Sequence, residues 1–528
     1  MNVQYKYKQI KRHYLKRGIH LRDYQKKGIR WMLKLEAKGL SGILADEPGL
    51  GKTYQSLAVA ISSPGISLVI VPSSILHQWY DDAKLLVPTK NGKPEVVYLH
   101  HGGYRRYSLP TDTKIVITTP STLLKSGENA CHVNLKTIPW ERIIFDEAHL
   151  MKNVESKISK CVKLLQARYK WALTGTPVQN CRRETENIFR YVLKVGDRQP
   201  IKLEPVIERH LLRRTKKECL NLPPIDIKTI EVDFYTDDER QMYHMIRKDV
   251  KQEYMELEQS NMSIQQQMAC MFELLLRMRQ SSIHPQLVVD GYRKKYARRD
   301  IMTNAFNRHL QKMGPHSTKH LKLIEEIERH PLDSTIVFSQ FVGEINLLEK
   351  VFRAKGIQTR RITGGQHNRQ QVIKDCQTNS VSYHQLQYHL CRNKDNNPLI
   401  GLSKDLLRHI SSFVPHIDIV FIQIKAGGVG LNLQKFNRIY FTSPDWNPTN
   451  EIQAIARAHR FGQEKKVYVK NIFIEDKENP GTTIDHRIFD IQDKKRDLAA
   501  KLLNDPSLLN NGTTYKGLTR NNLNRLLM

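Results

Sequence analysis

Short apolar runs recur along this chain, separated by helix-length amphipathic segments. Between about Ser41 and Leu173 the runs are SGILA, SLVIV, KIVIT, RIIF and KWALT. Each is too short for a helix and is bounded by turn residues, so each predicts a buried strand. Strands alternating with helices predict a parallel sheet with crossover connections, and such sheets gather ligands at the carboxyl ends of their strands. The rhythm stops at LLRRTKKECLNLPP, residues 211–224, where two prolines close the unit. A helical stretch rich in Gln and Met follows to about residue 285, and then the basic segment GYRKKYARRD, which reads as an exposed connection. STIVFSQF, DIVFIQI and RIYFTS restart the strand rhythm. The pattern predicts an α/β protein with two similar parallel-sheet lobes. The first spans 1–225, a helical protrusion and basic linker 226–316, the second lobe 317–500 and a tail 501–528. A polar insertion rich in His and Asn, about 377–415, interrupts the second lobe.

Length agrees with two domains, because single cores stop growing beyond roughly 250–300 residues and the chain has 528. Hydrophobic residues at 40% and charged residues at 26% are globular proportions that argue against wholesale disorder. Charge adds more: a formal net charge of +31 exceeds what solubility needs and attracts a polyanion by counterion release. Nucleic acid is the leading partner, and a merely basic surface is the plain alternative. No apolar run reaches the roughly 18 residues of a membrane-spanning helix. The cysteines, at 131, 161, 181, 219, 270, 376 and 391, form no CxxC pair, so neither a zinc cluster nor a disulfide framework is expected, and reduced intracellular thiols fit. The N-terminal MNVQYKYKQIKRHYLKRG is basic without the apolar segment of a secretory signal, which leaves it as a phosphate-contacting candidate.

Two motifs carry chemistry. DEPGLGKT, Asp46 to Thr53, lies between the strand SGILA and a helix beginning near Lys52. Gly49 and Gly51 let backbone wrap phosphates, with Glu47, Pro48 and Leu50 completing the loop; Lys52 reaches the outer phosphates and Thr53 holds magnesium. The strict pattern has Gly where Asp46 stands. Asp146, Glu147, Ala148 and His149 follow the strand RIIF, at the end where a magnesium-binding carboxylate, Asp146, and a water-orienting one, Glu147, belong. Together they predict ATP hydrolysis with Mg2+, although a P-loop kinase or GTPase carries similar pieces.

LRDYQ (21–25), DEPGLGKT, LVIVPSSILHQW (68–79), DEAH, LTGTPVQN (173–180), KAGGVGLNL (425–433) and PDWNPTNEIQAIARAHRFGQ (444–463) occur in this order. With ITTPSTLL, LLRRTKKE, LRMRQSSIHPQL and VFSQF between them, the chain resembles the Swi/Snf-type DNA translocases of helicase superfamily two from about residue 20 to 495. The family shares Asp at position 46 but more often has Met where this chain has Pro48. The resemblance implies two RecA-like lobes acting on one ATP and movement along double-stranded DNA. It implies that Gln25 reads the adenine, with Tyr24 packing nearby, and that Thr174, Gly175 and Thr176 link phosphate state to lobe movement. Gly430 and Gln453 would line the nucleotide, and Arg457 and Arg460 would act as arginine fingers. Candidates for the DNA backbone are Ser73, Ser74, Arg105, Arg106, Thr118, Thr119 and Lys425.

The residues alone leave plainer readings open. Gln25 also suits a solvated helix, Thr174 and Thr176 a strand-ending turn, Gly430 a tight turn, either arginine a surface carboxylate, and the DNA candidates ordinary caps or solvated charge. Trp446 suits core as well as interlobe packing. Rival functions are a DEAH-type RNA or strand-separating helicase, and a recruiting scaffold. The scaffold would use PLIGLSKDLLRHISSFV in the insertion, where Leu402, Leu406, Leu407, Ile410 and Phe413 recur at helical spacing with a faint resemblance to the start of an F-box. The expected address is intracellular: the nucleus, or another DNA-containing compartment such as a viral replication site.

Overall fold

A computed structural model describes residues 3–87, 89–90, 93–127, 132–151, 153–177, 182–197, 199–295, 308–330, 333–366, 369–377, 418–427 and 431–503. The described residues divide into two compact units, one within 3–222 together with 497–503, the other within 223–496.

The first unit is built on strands β1 (Ile43–Leu44), β2 (Ser67–Ile70), β5 (Val96–Leu99), β6 (Thr113–Thr118), β7 (Trp140–Phe145), β8 (Ala167–Leu173) and β9 (Leu211–Leu212), with a small hairpin of β3 (Thr89–Lys90) and β4 (Lys93–Pro94) beside them. The sheet order is β5-β6-β2-β7-β8-β1-β9, and the pairings within it are parallel. Central strands are buried on both faces, as their unbroken apolar runs require: β2 and β6 are buried throughout. Helices α1 (Val3–Lys16), α2 (Asp23–Ala37), α3 (Lys52–Ile61) and α4 (Leu76–Leu86) belong to this unit. Inside it, Arg142 donates two bonds to the Glu36 carboxylate, both 2.6 Å, and the Trp171 indole donates to the same carboxylate at 2.9 Å.

The second unit has strands β10 (Ile225–Val232), β11 (Thr335–Ser339), β12 (Thr359–Ile362), β13 (Ile419–Gln423), β14 (Arg438–Phe441) and β15 (Val467–Ile474), ordered β10-β15-β14-β11-β13-β12. Here the structure departs from the expected domains. The start of the stretch expected to be helical is strand β10, paired with β15 along its whole length from Ile225↔Val467 to Val232↔Ile474. As an edge strand it buries little, and Ile227 is 56% exposed, so its alternating I-D-I-K-T-I-E-V lacks the continuous apolar run of a central strand. The segment 226–316 is not a unit of its own. Helices Asp237–Glu258 and Ile264–Ile283 bury Tyr243, Ile246, Tyr254, Leu274 and Met278 in one cluster with Val337, Phe421 and Ile472 of the second sheet. Most of the insertion, including its five spaced apolar residues, lies outside the described residues. Among those described, no helix is long and apolar enough to cross a membrane.

Candidate nucleotide site

Parallel strands bring the motifs to one edge of the first sheet, because each strand ends where its motif begins. β1 runs into Asp46, β2 into Ser73, β6 into Thr119, β7 into Asp146, β8 into Thr174 and β9 into Arg213. The loop after β1 has Gly49 at φ 97° and Gly51 at φ 73°, left-handed values natural to glycine. A Cβ on Gly51 would stand 2.4 Å from Gln25 Nε2. Gly51 caps α3 without a side-chain bond to its first turn, so that turn's amides suit an anion. Lys52 Nζ donates to the Asp46 carbonyl at 2.7 Å. These are the residues that would hold a triphosphate.

The Asp46 side chain is fully buried and faces away from solvent, into a charged network. Arg214 Nε donates to Oδ1 at 2.8 Å, Arg214 Nη2 donates to Oδ2, and Gln55 Nε2 donates to Oδ2 at 3.1 Å. The carboxylate thereby ties the phosphate loop to the segment after β9, and the tie is repeated by backbone, Glu47 N donating to Arg214 O at 3.0 Å. Glu47 also accepts from Lys216 N at 2.7 Å. Asp46 and Glu47 thus shape the loop from behind. Arg214 and Gln55 were not singled out by sequence reasoning; the signal was the acid at a position the phosphate-loop pattern gives to glycine, which when buried calls for a cation.

Asp146 and Glu147 stand at the end of β7. Trp79 Nε1 donates to Asp146 Oδ2 at 2.9 Å and Glu147 N donates to Oδ1 at 2.8 Å. Burial and the neighbouring Glu147 carboxylate push the Asp146 carboxyl up to about 6, while Lys52 pulls it back. Lys52 and Asp146 are thus electrostatic neighbours. Glu147 has φ 50°, a left-handed strain that non-glycine residues keep mainly at functional positions, and its carboxylate lies 3.2 Å from His149 Nδ1. No group of three or more His, Cys, Asp or Glu able to hold a metal exists among the described residues. The donor set around Thr53 and Asp146 suits a magnesium ion that keeps water and phosphate oxygens as its other ligands.

Gln25 sits against the loop: its Oε1 accepts from Arg22 N at 2.9 Å and its Nε2 donates to Leu50 O at 3.4 Å. Arg214 lies over the Tyr24 ring, 5.5 Å from its centroid. Thr174 is fully buried and its hydroxyl accepts from Thr176 N at 3.1 Å, which closes the turn after β8. Between them, Gly175 touches the phosphate loop. A Cβ there would lie 2.7 Å from Pro48 Cγ and 2.8 Å from Cδ, while Arg213 Nη1 donates to Gly175 O at 3.3 Å. The proline that departs from the resembled family is therefore the piece pressed against this turn. Gly175→Ala is expected to displace one of the two segments and lower steady-state ATPase turnover about tenfold, at an overpacking cost of about 1–3 kcal/mol. Adding Pro48→Ala, which removes the obstructing ring, restores most of the rate; a double variant no better than the single one contradicts this contact.

The DNA candidates separate. Ser73 and Ser74 are exposed in the turn that opens α4, and Arg106 is exposed, while Arg105 Nε donates to Gly102 O at 3.0 Å. Thr118 and Thr119 are instead buried, at 0% and 1% exposure. The Thr118 hydroxyl donates to His100 O at 2.9 Å and Thr119 caps the helix Pro120–Leu124 by accepting from Thr122 N. Both hydroxyls bond within the first unit.

In the second unit, helix Pro448–Ile455 and the turns after it carry Gln453, Arg457 and Arg460. Gln453 is 5% exposed, and its Nε2 has no hydrogen-bond partner among the described residues, a buried donor that suits a polar ligand. Arg457 is 9% exposed. Arg460 Nη1 donates to Leu431 O at 3.3 Å, and burial holds its guanidinium below the usual arginine range. Gly430 and the Lys425 side chain lie outside the described residues. Trp446 packs against the second unit's core with the Arg279 guanidinium 5.3 Å above its ring, and Arg279 Nη2 donates to Pro444 O at 2.8 Å.

Comparison with known proteins agrees with this geometry. A family model described as the SNF2-related domain matches residues 24–196, and one described as the helicase conserved C-terminal domain matches 402–462. A probable global transactivator of Orgyia pseudotsugata multicapsid polyhedrosis virus is 28% identical, over 93% of this chain and 92% of its own length. An ATP-dependent helicase of Schizosaccharomyces pombe is 24% identical over 92% of this chain and 61% of its own. A human SWI/SNF-related, matrix-associated, actin-dependent regulator of chromatin, subfamily A member 1, is 26% identical over 89% and 42%. The chain thus spans nearly all of the viral relative and about half of the two cellular ones. With a phosphate loop, a DEAH carboxylate pair and the second unit's arginine segment in place on two parallel sheets, the chain is a helicase-like ATPase that carries an SNF2-related domain and is similar to SWI/SNF-type proteins.

Proposed function

We propose that this ATPase is a motor that uses ATP hydrolysis to move along double-stranded DNA. The observation that carries the reading is the joining of Lys52, Asp146 and Glu147 at one sheet edge whose neighbouring strand ends present the exposed Ser73, Ser74 and Arg106. Lys52 and the amides at the start of α3 hold the phosphates. Thr53 and Asp146 would hold a magnesium ion, which would supply charge neutralisation on the phosphate oxygens. Glu147, kept in its strained turn beside His149, positions the attacking water and takes its proton. Arg457 and Arg460 supply the cations that phosphoryl transfer rewards by roughly 10³ to 10⁵ in rate. Hydroxyls and arginines that meet phosphates rather than base edges suit a protein that must travel over any sequence. The names of two relatives, a viral global transactivator and a human regulator of chromatin, support chromatin or gene activation as a setting for such a motor and a DNA-containing compartment as its address.

An RNA or strand-separating helicase is the weaker reading, since such proteins of the DEAH type have SAT and QRxGRxGR where this chain has LTGTP and ARAHRFGQ. Steady-state ATPase of the purified chain is expected to rise with added duplex DNA, to rise less with RNA, and to vanish in Lys52→Ala. Stimulation by RNA alone, or activity that survives Lys52→Ala, overturns the proposal.

A further inference from the structure

The first helix of the protein has no task in the ATPase site. α1 has no acidic residue in its sequence VQYKYKQIKRHYLK. Lys6 and Lys8 crowd its N-terminal half, where the helix dipole disfavours cations. Lys8, Arg12 and Lys16 repeat at i, i+4 spacing, where like charges repel. Among the described residues none of Lys6, Lys8, Lys11, Arg12 and Lys16 takes part in an ion pair. A helix with this charge needs outside support to hold its place, and it has it. Tyr7, Ile10 and Tyr14 are buried at 3%, 3% and 0% exposure, the Tyr14 hydroxyl donates to Tyr54 O at 2.7 Å, and Arg30 stands over the Tyr7 ring at 4.1 Å. His13 Nε2 meets Leu86 O at 2.5 Å and Arg17 Nη2 donates to Val87 O at 3.2 Å.

That docking fixes which face is free. At 100° per residue, Tyr7, Ile10 and Tyr14 form one stripe and Lys8, Arg12 and Lys16 lie on the side away from it, all exposed. Tyr5, 53% exposed, is in the same row. Three cations at four-residue intervals make a row about 12 Å long at about 1.5 Å per residue. Duplex DNA offers one negative charge about every 1.7 Å of its axis, so such a row meets several phosphates at once. The row is continued by a cleft lined by Lys6, Arg12, His13, Lys16, Ile61 and Ser62. Ile61 ends α3, and His13 and Arg17 hold the end of α4. These are the ends opposite to those that start at the phosphate loop and at Ser73. The surface is therefore separate from the strand-end edge to which the motor's DNA contacts belong.

We infer that α1 is a second nucleic-acid-backbone surface of this protein, taking the phosphates of duplex DNA through Lys8, Arg12 and Lys16 with Tyr5 alongside. The inference rests on the translocase reading for its ligand, and on the unpaired, firmly seated cations for its place. The regular spacing and the exposed aromatic favour a repeating phosphate backbone over an acidic protein surface.

The test measures binding of a fluorescent random-sequence duplex to the full chain across about 50 to 200 mM salt, comparing wild type with the triple variant Lys8→Gln, Arg12→Gln, Lys16→Gln. A charge-matched control carries Lys228→Gln, Lys248→Gln and Lys251→Gln, all exposed on the second unit. The α1 variant is expected to bind more weakly and to lose about 2 to 3 from the slope of log K against log salt, at about 0.9 per phosphate contact, with ATPase in the absence of DNA unchanged. The control is expected to keep the wild-type slope. An α1 variant with the wild-type slope, a control that falls as far, or loss of polyglutamate binding in place of duplex binding each overturns the inference. A wild-type chain that binds no duplex and is not stimulated by it removes the translocase reading, whereas one that binds and is stimulated while the α1 variant keeps its slope removes only this one.

Discussion

Glu147→Gln is expected to reduce steady-state ATP hydrolysis by about 10² to 10⁴, the range a positioned general base contributes, while ATP still binds. The proposed role of this carboxylate is to act on water. Its backbone amide is fixed to Asp146 Oδ1 at 2.8 Å, its left-handed φ of 50° is retained despite the strain, and its side chain lies 3.2 Å from His149. Glutamine keeps the size and loses the proton acceptor. The loop proposed to hold phosphate, with Lys52, Gly49 and Gly51, is untouched by this change. Equilibrium binding of a fluorescent ATP analogue should therefore stay within a few-fold of wild type. Turnover close to wild type would assign the base to another residue.

Glu36→Ala is expected to cost the first unit about 3–5 kcal/mol, the penalty for leaving a buried charge without its partner. Arg142 is fully buried and Glu36 is 5% exposed. Their two parallel bonds cross the unit, joining α2 to strand β7 over 106 residues of chain. Trp171 Nε1 loses its acceptor as well. For a unit of this size the change lowers the melting temperature by about 10 °C, at roughly 2–4 °C per kcal/mol. The double variant Glu36→Leu, Arg142→Met, which removes both charges, is expected to recover much of the loss. Differential scanning calorimetry of the three proteins decides it, and a Glu36→Ala protein melting within about 2 °C of wild type contradicts the account of this pair.

Much of the fold was legible because its central strands are buried on both faces. The runs around β2, β6, β7, β8, β11, β13 and β14 are nearly continuous in apolar residues, and the sequence pattern found each of them. Of the strands it passed over, β5 is a short apolar run, V-V-Y-L, and the others lack that signature. β9 has two residues. β12 is T-R-R-I, an edge whose arginines are only half-buried. β15 is interrupted by Lys470 and Asn471, of which Lys470 reaches the Glu326 carboxylate. β10 alternates at an edge and was read as part of a helical stretch, which moved a boundary and created a separate protrusion that the packing of helices Asp237–Glu258 and Ile264–Ile283 on the second sheet does not support.

The site divides in the same way. Lys52, Thr53, Asp146 and Glu147 were readable because their chemistry depends on neighbours in the chain: a glycine turn into a helix, and an acidic pair ending a strand. What was not readable depends on partners brought from far away. Asp46 meets Arg214 across 168 residues, and Asp146 meets Trp79 across 67. Asp46 was grouped with the nucleotide residues because it opens the phosphate-loop motif. The packing of β9 beside β1 brings Arg214 to its carboxylate.

Hydrolysis at Lys52, Asp146 and Glu147 is proposed to drive movement along a duplex, and triplex displacement measures that conversion directly. The purified chain, given a naked duplex bearing a third strand, is expected to release that strand when ATP is added, and Glu147→Gln is expected to leave it bound. Failure of the wild-type protein to release the strand while it hydrolyses ATP on the same DNA, or release that continues in Glu147→Gln, contradicts the account.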